Sequence, residues 1–182
     1  MADTLSASVS QALQVYIKGT KAWFTDDDEA WVSAAFVSKV ETPTGVKMTF
    51  VNDADEGREH VFESTFALLE KNKGETLPPL RNPPKLENAE DLTTLSYLNE
   101  PSVLNTIKTR YFQRNIYTYS GIVLIAVNPF ASVPLYDPDV IQQYSGRKRE
   151  DLEPHLFAIA EDAYRCMIRR KANQTVVVSG ER

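Results

Sequence analysis

The chain has 182 residues and a formal net charge of -5, from 20 Lys+Arg against 25 Asp+Glu. Its hydrophobic fraction is 42%, enough to exclude disorder throughout, because disordered chains lack the apolar surface that offsets ordering entropy. The length admits one large domain or two small ones, and the mildly acidic balance supplies no general field for a nucleic-acid partner.

Cys166 is the single cysteine, so no intramolecular disulfide framework and no cysteine cluster for zinc can form. His60 and His155 are far apart, and neither sits in a ligand-spaced motif; no metal site is expected. The start of the chain lacks the basic and apolar regions of a secretory signal. The longest apolar run, 122–127, is far short of the ~20 residues that cross a bilayer. A cytoplasmic chain without membrane insertion is expected.

Residues 15–69 read as short strands. Ala22, Trp23 and Phe24 precede an acidic turn, Asp26 to Glu29, and residues 31–40 are rich in aromatic and small apolar side chains. Pro43, Thr44 and Gly45 mark a turn. Val46, Met48 and Phe50 then alternate with Lys47 and Thr49, the period of a strand with one buried face. Residues 52–57 form a polar turn and 58–62 a return strand. Strands at this spacing suggest a small β-barrel, filled by Trp23, Trp31, Phe36, Phe50 and Phe62.

Residues 74–90 read as an extended linker, since Pro78, Pro79, Pro83 and Pro84 block helix and strand ladders alike. From Asp91 onward helix and strand alternate. Asn99, Glu100 and Pro101 open a helix, with proline near its first position, and Val103, Leu104, Ile107 and Tyr111 form its apolar face. Residues 116–119 predict a strand, Ser120 and Gly121 a turn, and 122–127 a buried strand stopped by Asn128 and Pro129. Asp137 and Pro138 start a short helix. Pro154 starts a longer one with Leu156, Ala160, Ala163, Tyr164 and Met167 on its face. Arg169, Arg170 and Lys171 close it favourably for the helix dipole. Residues 175–178 predict a second buried strand.

Two places carry candidate chemistry. A buried strand leading into Gly180 and Glu181 is how a phosphate-binding loop begins, although a plain strand and turn has the same local sequence. The second is the segment from Asn128 to Tyr136, where an amide, a hydroxyl and the Pro129 and Tyr136 rings suit a purine; taken locally, a proline-rich turn with a packed aromatic explains it as well. Arg147, Lys148 and Arg149 read as a solvated basic patch, Cys166 as a small buried apolar residue, and His155 as a helix-terminus hydrogen-bonder rather than a base. No catalytic triad or dyad can be assembled.

Taken together, the blocks change the reading. Leu98 to Leu104, Arg110 with Tyr111, Ile116 to Gly121, Ala126 to Phe130, Pro154 to Ala160, Ala163 with Tyr164, Asn173 with Gln174, and Val178 to Glu181 resemble, in order and spacing, the start of a myosin motor domain. The first segment is similar, more loosely, to the SH3-like barrel that precedes the motor core in many myosins. The wording most resembles class V, the cargo-transporting group, and its fungal members. The resemblance implies a mixed α+β chain: an SH3-like β-barrel over 1–70, a proline-rich linker over 71–90, and the start of a P-loop NTPase-type motor domain over 91–182.

It also implies roles. Asn128, Pro129 and Tyr136 fall in the family's purine-binding loop, and Gly180 and Glu181 match the first two residues of its phosphate loop. Residues 175–179 would feed that loop, and 116–127 would supply outer strands of the same central sheet. Ala131 and Ser132 stand where some myosins have basic residues, and Arg182 stands where the family has Ser. The cofactors implied for the whole motor are ATP and Mg²⁺; the partners are actin filaments, light chains or calmodulin, and cargo adaptors, in the actin cytoskeleton. The phosphate-loop Lys and Thr that phosphoryl transfer requires are missing from this sequence, so these residues alone are expected neither to bind nucleotide tightly nor to hydrolyse ATP. No catalytic residue is assigned. The alternatives are a non-catalytic interaction module built on the barrel around Trp23, Trp31 and the acidic turn, or a truncated gene product with no independent role.

Overall fold

The computed structural model describes residues 5–180. They divide into two compact units. One runs through Pro83 and includes Asn99–Ser102; the other comprises Pro84–Leu98 and the residues from Val103 onward.

The first unit is built on an antiparallel meander of β1 (Lys21–Asp26), β2 (Ala30–Glu41), β3 (Gly45–Asn52) and β4 (Glu59–Thr65), paired in chain order. The register of β2 on β3 slips between Phe36 and Ser38. Such a bulge bends a strand and increases its twist, and the sheet curls as a half-barrel. Its strand order ends at β1 and β4, so the ladder does not close into a full barrel.

Two helices that strand periodicity does not reveal complete this unit. Helix α1 (Ala7–Gln14) is capped by Ser6, whose hydroxyl accepts from Val9 N at 3.4 Å. Val9 and Leu13, one turn apart, enter the core with Ala22, Ala34, Val46, Met48 and Phe50. Helix α2 (Phe66–Lys71), capped by Thr65, adds Leu69. Phe50 is the hub: the rings of Phe24, Phe36 and Tyr16 meet it edge-on at 5.0, 5.5 and 6.1 Å.

The predicted barrel filling needs correction. Phe36 and Phe50 are buried in the core cluster and Phe62 packs against it, but Trp23 and Trp31 lie outside that cluster. Ala22 faces the core, so its neighbour Trp23 emerges on the opposite face, paired with Ser33, and Trp31 lies opposite Thr25 on that same face. Trp23 is nevertheless buried, beneath the Arg81 guanidinium 5.1 Å from its ring. The proline-rich segment is therefore more than a spacer. Leu80 bridges to Ala22, Trp23 N donates to Pro79 O at 2.8 Å, and Leu77 is a core residue. Asp53 holds Lys21 and Arg81 at 3.0 and 3.2 Å.

The second unit contains most of helix α3 (Glu100–Phe112), the antiparallel hairpin of β5 (Tyr117–Ser120) and β6 (Val123–Ala126), and helices α4 (Pro138–Tyr144) and α5 (Leu156–Arg170). Asn99 caps α3 by accepting from Ser102 N at 3.0 Å. Asp137 stands at the cap of α4 with Pro138 first, though its side chain makes no cap bond.

Several predicted burials are reversed. On α3 the fully buried positions are Ser102, Thr106 and Arg110, while Leu104, predicted inside, is exposed. Arg110 decides the rotation, because its buried guanidinium must reach acceptors on the hairpin. On α5 the buried residue is Ala158, and Leu156, Tyr164 and Met167 are exposed. The predicted buried strand at 122–127 is the short, largely exposed β6, preceded by Ile122, which is 91% exposed; among the described residues no third strand pairs with it. Residues 175–178 form no strand, and Val177 and Val178 are exposed. A β-branched run forms a ladder only when a neighbour supplies partners for its N–H and C=O groups, and none is present among the described residues. No helix there is long and apolar enough to cross a membrane.

Candidate functional site

The site is built from the second unit's hairpin outward. Gly121 makes the tight turn between β5 and β6 with φ +56, a left-handed conformation that glycine adopts without a Cβ penalty. Asp91 fixes that turn: its Oδ1 accepts from Gly121 N at 3.0 Å and Thr93 N at 2.9 Å. These bonds hold its carboxyl below the usual range despite burial, which acts the other way and is the largest single influence. Arg149 lies with its guanidinium 3.7 Å from the centre of the Tyr119 ring and donates to Gly121 O. The predicted solvated patch at 147–149 thus has one member committed to the hairpin.

Arg110 underpins β5. It is 2% exposed. It donates to Tyr117 O from Nε and Nη2, and to Thr118 Oγ1. Its ion pair to Glu153 is longer, at 3.5 Å.

At the end of β6 the chain enters the irregular segment 127–137. Asn128 is exposed, and its Oδ1 accepts from Phe130 N at 2.9 Å. This small turn coincides with φ +47 at Phe130, whose ring is 90% exposed. The Asn128 amide keeps its two N–H donors without a partner among the described residues. Pro129 is half-buried beside it. Tyr136, at the far end of the segment, is 47% exposed, and its hydroxyl lies 2.8 Å from that of Tyr117.

Tyr117 belongs to an aromatic cluster centred on His155. The His155 ring is stacked on Tyr144 at 4.9 Å and meets Tyr117 at 5.0 Å, Tyr136 at 5.9 Å and Phe157 at 4.6 Å. His155 also caps α5: its Nδ1 accepts from Phe157 N at 3.0 Å, as the sequence predicts for a helix-terminus residue. An accepting Nδ1 is unprotonated, which places the ring proton on Nε2. Burial lowers the His155 pKa. It raises the phenol of Tyr117, with further increases from the bond to Tyr136 and its charge, and it raises that of Tyr144. Burial thus favours the uncharged forms of His155, Tyr117 and Tyr144. A cavity of about 300 Å³ opens beside it, lined by Tyr117, Pro134, Leu135, Tyr144 and His155 among others.

The predicted site residues fall into two places. Asn128, Pro129 and Tyr136 share one connection. Gly180 lies in the exposed segment after α5, with nothing within 4 Å of where a side chain would begin. Glu181 lies outside the described residues. Cys166 is half-buried rather than fully buried. Sequence reasoning missed Tyr117 and Tyr144; the only local trace is the pair Tyr117 and Tyr119 flanking Thr118.

Chemically the 128–136 connection offers amide donors, a proline face and a tyrosine face, a set suited to a flat nitrogenous base. The aromatic cluster behind it supplies ring faces and a hydroxyl pair. No group of three or more His, Cys, Asp or Glu among the described residues is placed to hold a metal ion.

Comparison with known proteins adds the family context. The myosin head (motor domain) family model matches residues 89–182. The chain is 50% identical over 167 residues to Myosin-2 of Lachancea kluyveri, covering 91% of this chain and 10% of that protein. It is 53% identical over 165 residues to Myosin-4 of Saccharomyces cerevisiae, covering 90% of this chain and 11% of that protein. Over 171 residues it is 42% identical to Unconventional myosin-Va of Gallus gallus, covering 93% of this chain and 9% of that protein. The chain thus spans about a tenth of the length of the curated relatives it matches.

Proposed function

The chain belongs to the myosin family, and from that premise we propose that it supplies the adenine side of the nucleotide site in an ATP-driven, actin-based motor head. The observation that carries this is the coincidence of the family match over 89–182 with a single connection, 128–136, that contains Asn128, Pro129 and Tyr136 and leaves the Asn128 amide and part of the Tyr136 ring exposed. Asn128 offers amide donors to a base edge, and the Pro129 and Tyr136 rings offer apolar faces to its plane. Gly180 and Glu181 open the phosphate loop. Bound Mg·ATP would supply the phosphoryl-transfer chemistry of the whole head.

We assign the parent to class V, with support from the match to Unconventional myosin-Va over 93% of the chain. As its domain division we propose an SH3-like barrel over 1–70, a proline-rich linker over 71–90 whose Leu77 and Leu80 pack on the first unit's core, and the motor start over 91–182. Actin filaments, light chains or calmodulin, and cargo adaptors are partners of the whole motor in the cytoplasm. A barrel that acts as an aromatic docking module is disfavoured, because Trp23 lies buried under Arg81 and cannot share an open groove with Trp31.

The test is photolabelling of a complete motor head carrying this segment with an azido-adenine nucleotide. Label on a peptide within 128–136, displaced by excess ATP, supports the assignment. Label confined to other segments overturns it.

A further inference from the structure

We propose that Tyr117 and His155, neither of them in the 128–136 connection, are positioning residues that hold the Tyr136 ring ready for the base of a bound nucleotide. This rests on the reading of that connection as the base-binding loop.

Tyr136 sits in an irregular segment and is 47% exposed, a setting in which a side chain ordinarily samples several rotamers. Here neighbours from two different elements fix it. The Tyr117 hydroxyl is 2.8 Å from its hydroxyl, and the His155 and Phe157 rings meet its ring at 5.9 and 6.3 Å. Tyr117 and His155 are themselves held in place. Tyr117 is buried, and its backbone pairs with Ala126, the last residue of β6. His155 is 2% exposed and tied to the start of α5 by its cap bond.

Tyr117 therefore grips both ends of one loop. Its backbone holds the strand from which the loop departs, and its hydroxyl holds the residue at the loop's far end. His155 meets Tyr117 and Tyr136 together, so the three rings restrain one another. A ring already held in place gives up less rotamer freedom when a ligand arrives. Engaging the Tyr136 hydroxyl with Tyr117 also leaves the ring face as the surface offered to a base.

The consequence is confined to the base. Pyrophosphate carries the anionic groups of ATP without its purine and makes no demand on Tyr136. In a complete motor head carrying this segment, Tyr117→Phe and His155→Asn should weaken ATP binding about 3- to 10-fold and leave pyrophosphate binding unchanged. Asn is chosen at 155 because it preserves an N-cap acceptor while removing the ring. Tyr136→Phe breaks the same hydroxyl pair, so Tyr117→Phe combined with Tyr136→Phe should be no worse than either alone.

Equal weakening of ATP and pyrophosphate would assign Tyr117 and His155 a purely structural role and overturn the proposal. So would wild-type ATP affinity in both variants when Tyr136→Ala weakens it, a result that leaves the base-loop reading standing. If Tyr136→Ala and Asn128→Ala are both silent, that reading falls and the proposal with it. A second measurement covers variants too unstable to assemble a head. In the 182-residue chain, tetranitromethane should nitrate Tyr136 several-fold faster relative to Tyr164 in either variant. An unchanged ratio overturns the proposal.

Discussion

The guanidinium of Arg110 grips the carbonyl of Tyr117 with two nitrogens, Nε at 3.3 Å and Nη2 at 3.0 Å. The same side chain reaches Thr118 Oγ1 at 3.1 Å and Asn88 O at 3.4 Å. A single buried cation thus collects the spare acceptors of β5 and of the segment before it. Its partner Glu153 is 63% exposed, so the attraction between opposite charges contributes little and the hydrogen bonds carry the weight.

Arg110→Met should therefore destabilise the second unit by about 3 kcal/mol, because it strands buried acceptors in addition to removing the bonds. Arg110→Lys should recover only part of this, since an ammonium cannot fork across one carbonyl. Urea denaturation of both variants, followed by circular dichroism, measures the difference. Glu153→Gln should cost under about 1 kcal/mol in the same assay.

His155 links stability to pH. Burial depresses its pKa in the folded state. Below the unfolded value of about 6.5, the unfolded chain takes up a proton that the folded chain refuses, so stability falls as pH drops through that window. His60 is depressed in the same direction, first by burial and then by Arg58. Thermal melts at pH 7.0 and 5.5 should show a lower midpoint at pH 5.5. His155→Asn should reduce that difference, and combining it with His60→Asn should reduce it further.

Gly45 opens β3 where the backbones of β3 and β4 come close. A Cβ there would stand 2.4 Å from Ser64 O, so one strand must move. Gly45→Ala should destabilise the first unit by about 1–3 kcal/mol, the usual range for overpacking. Denaturation followed by Trp fluorescence reads that unit directly, because Trp23 and Trp31 both lie in it.

Asp53 ties the proline-rich segment to the half-barrel through Lys21 and Arg81. Both pairs are partly exposed, so Asp53→Asn should lower stability by under about 1 kcal/mol. Local opening should respond more than global stability, because loosening Arg81 uncovers Trp23. The expected result is faster limited proteolysis within 74–90 and a red-shifted Trp emission in a Trp31→Phe background. Unchanged cleavage would assign that segment's order to the Leu77 and Leu80 packing instead.

The sequence by itself determined the local elements. The alternation of Val46, Met48 and Phe50, the cap at Asn99, the turn at Gly121 and the stop at Asn128 are each written within a few residues, so periodicity and capping chemistry reveal them. It also determined the family, because the spacing of many short blocks is a property of the chain alone. It determined the buried face of β3 but not that of β1, α3 or α5. Trp23, Leu104 and Tyr164 lie on faces other than the predicted core because partners remote in sequence decide burial: Arg81 covers Trp23, and the acceptors on β5 turn α3 toward Arg110. The candidate site divides the same way. Asn128, Pro129 and Tyr136 were legible as a motif. The support from Tyr117 and His155 emerged only when β5 and the start of α5 came together, since a hydroxyl pair and a ring cluster form across distances that no local pattern encodes.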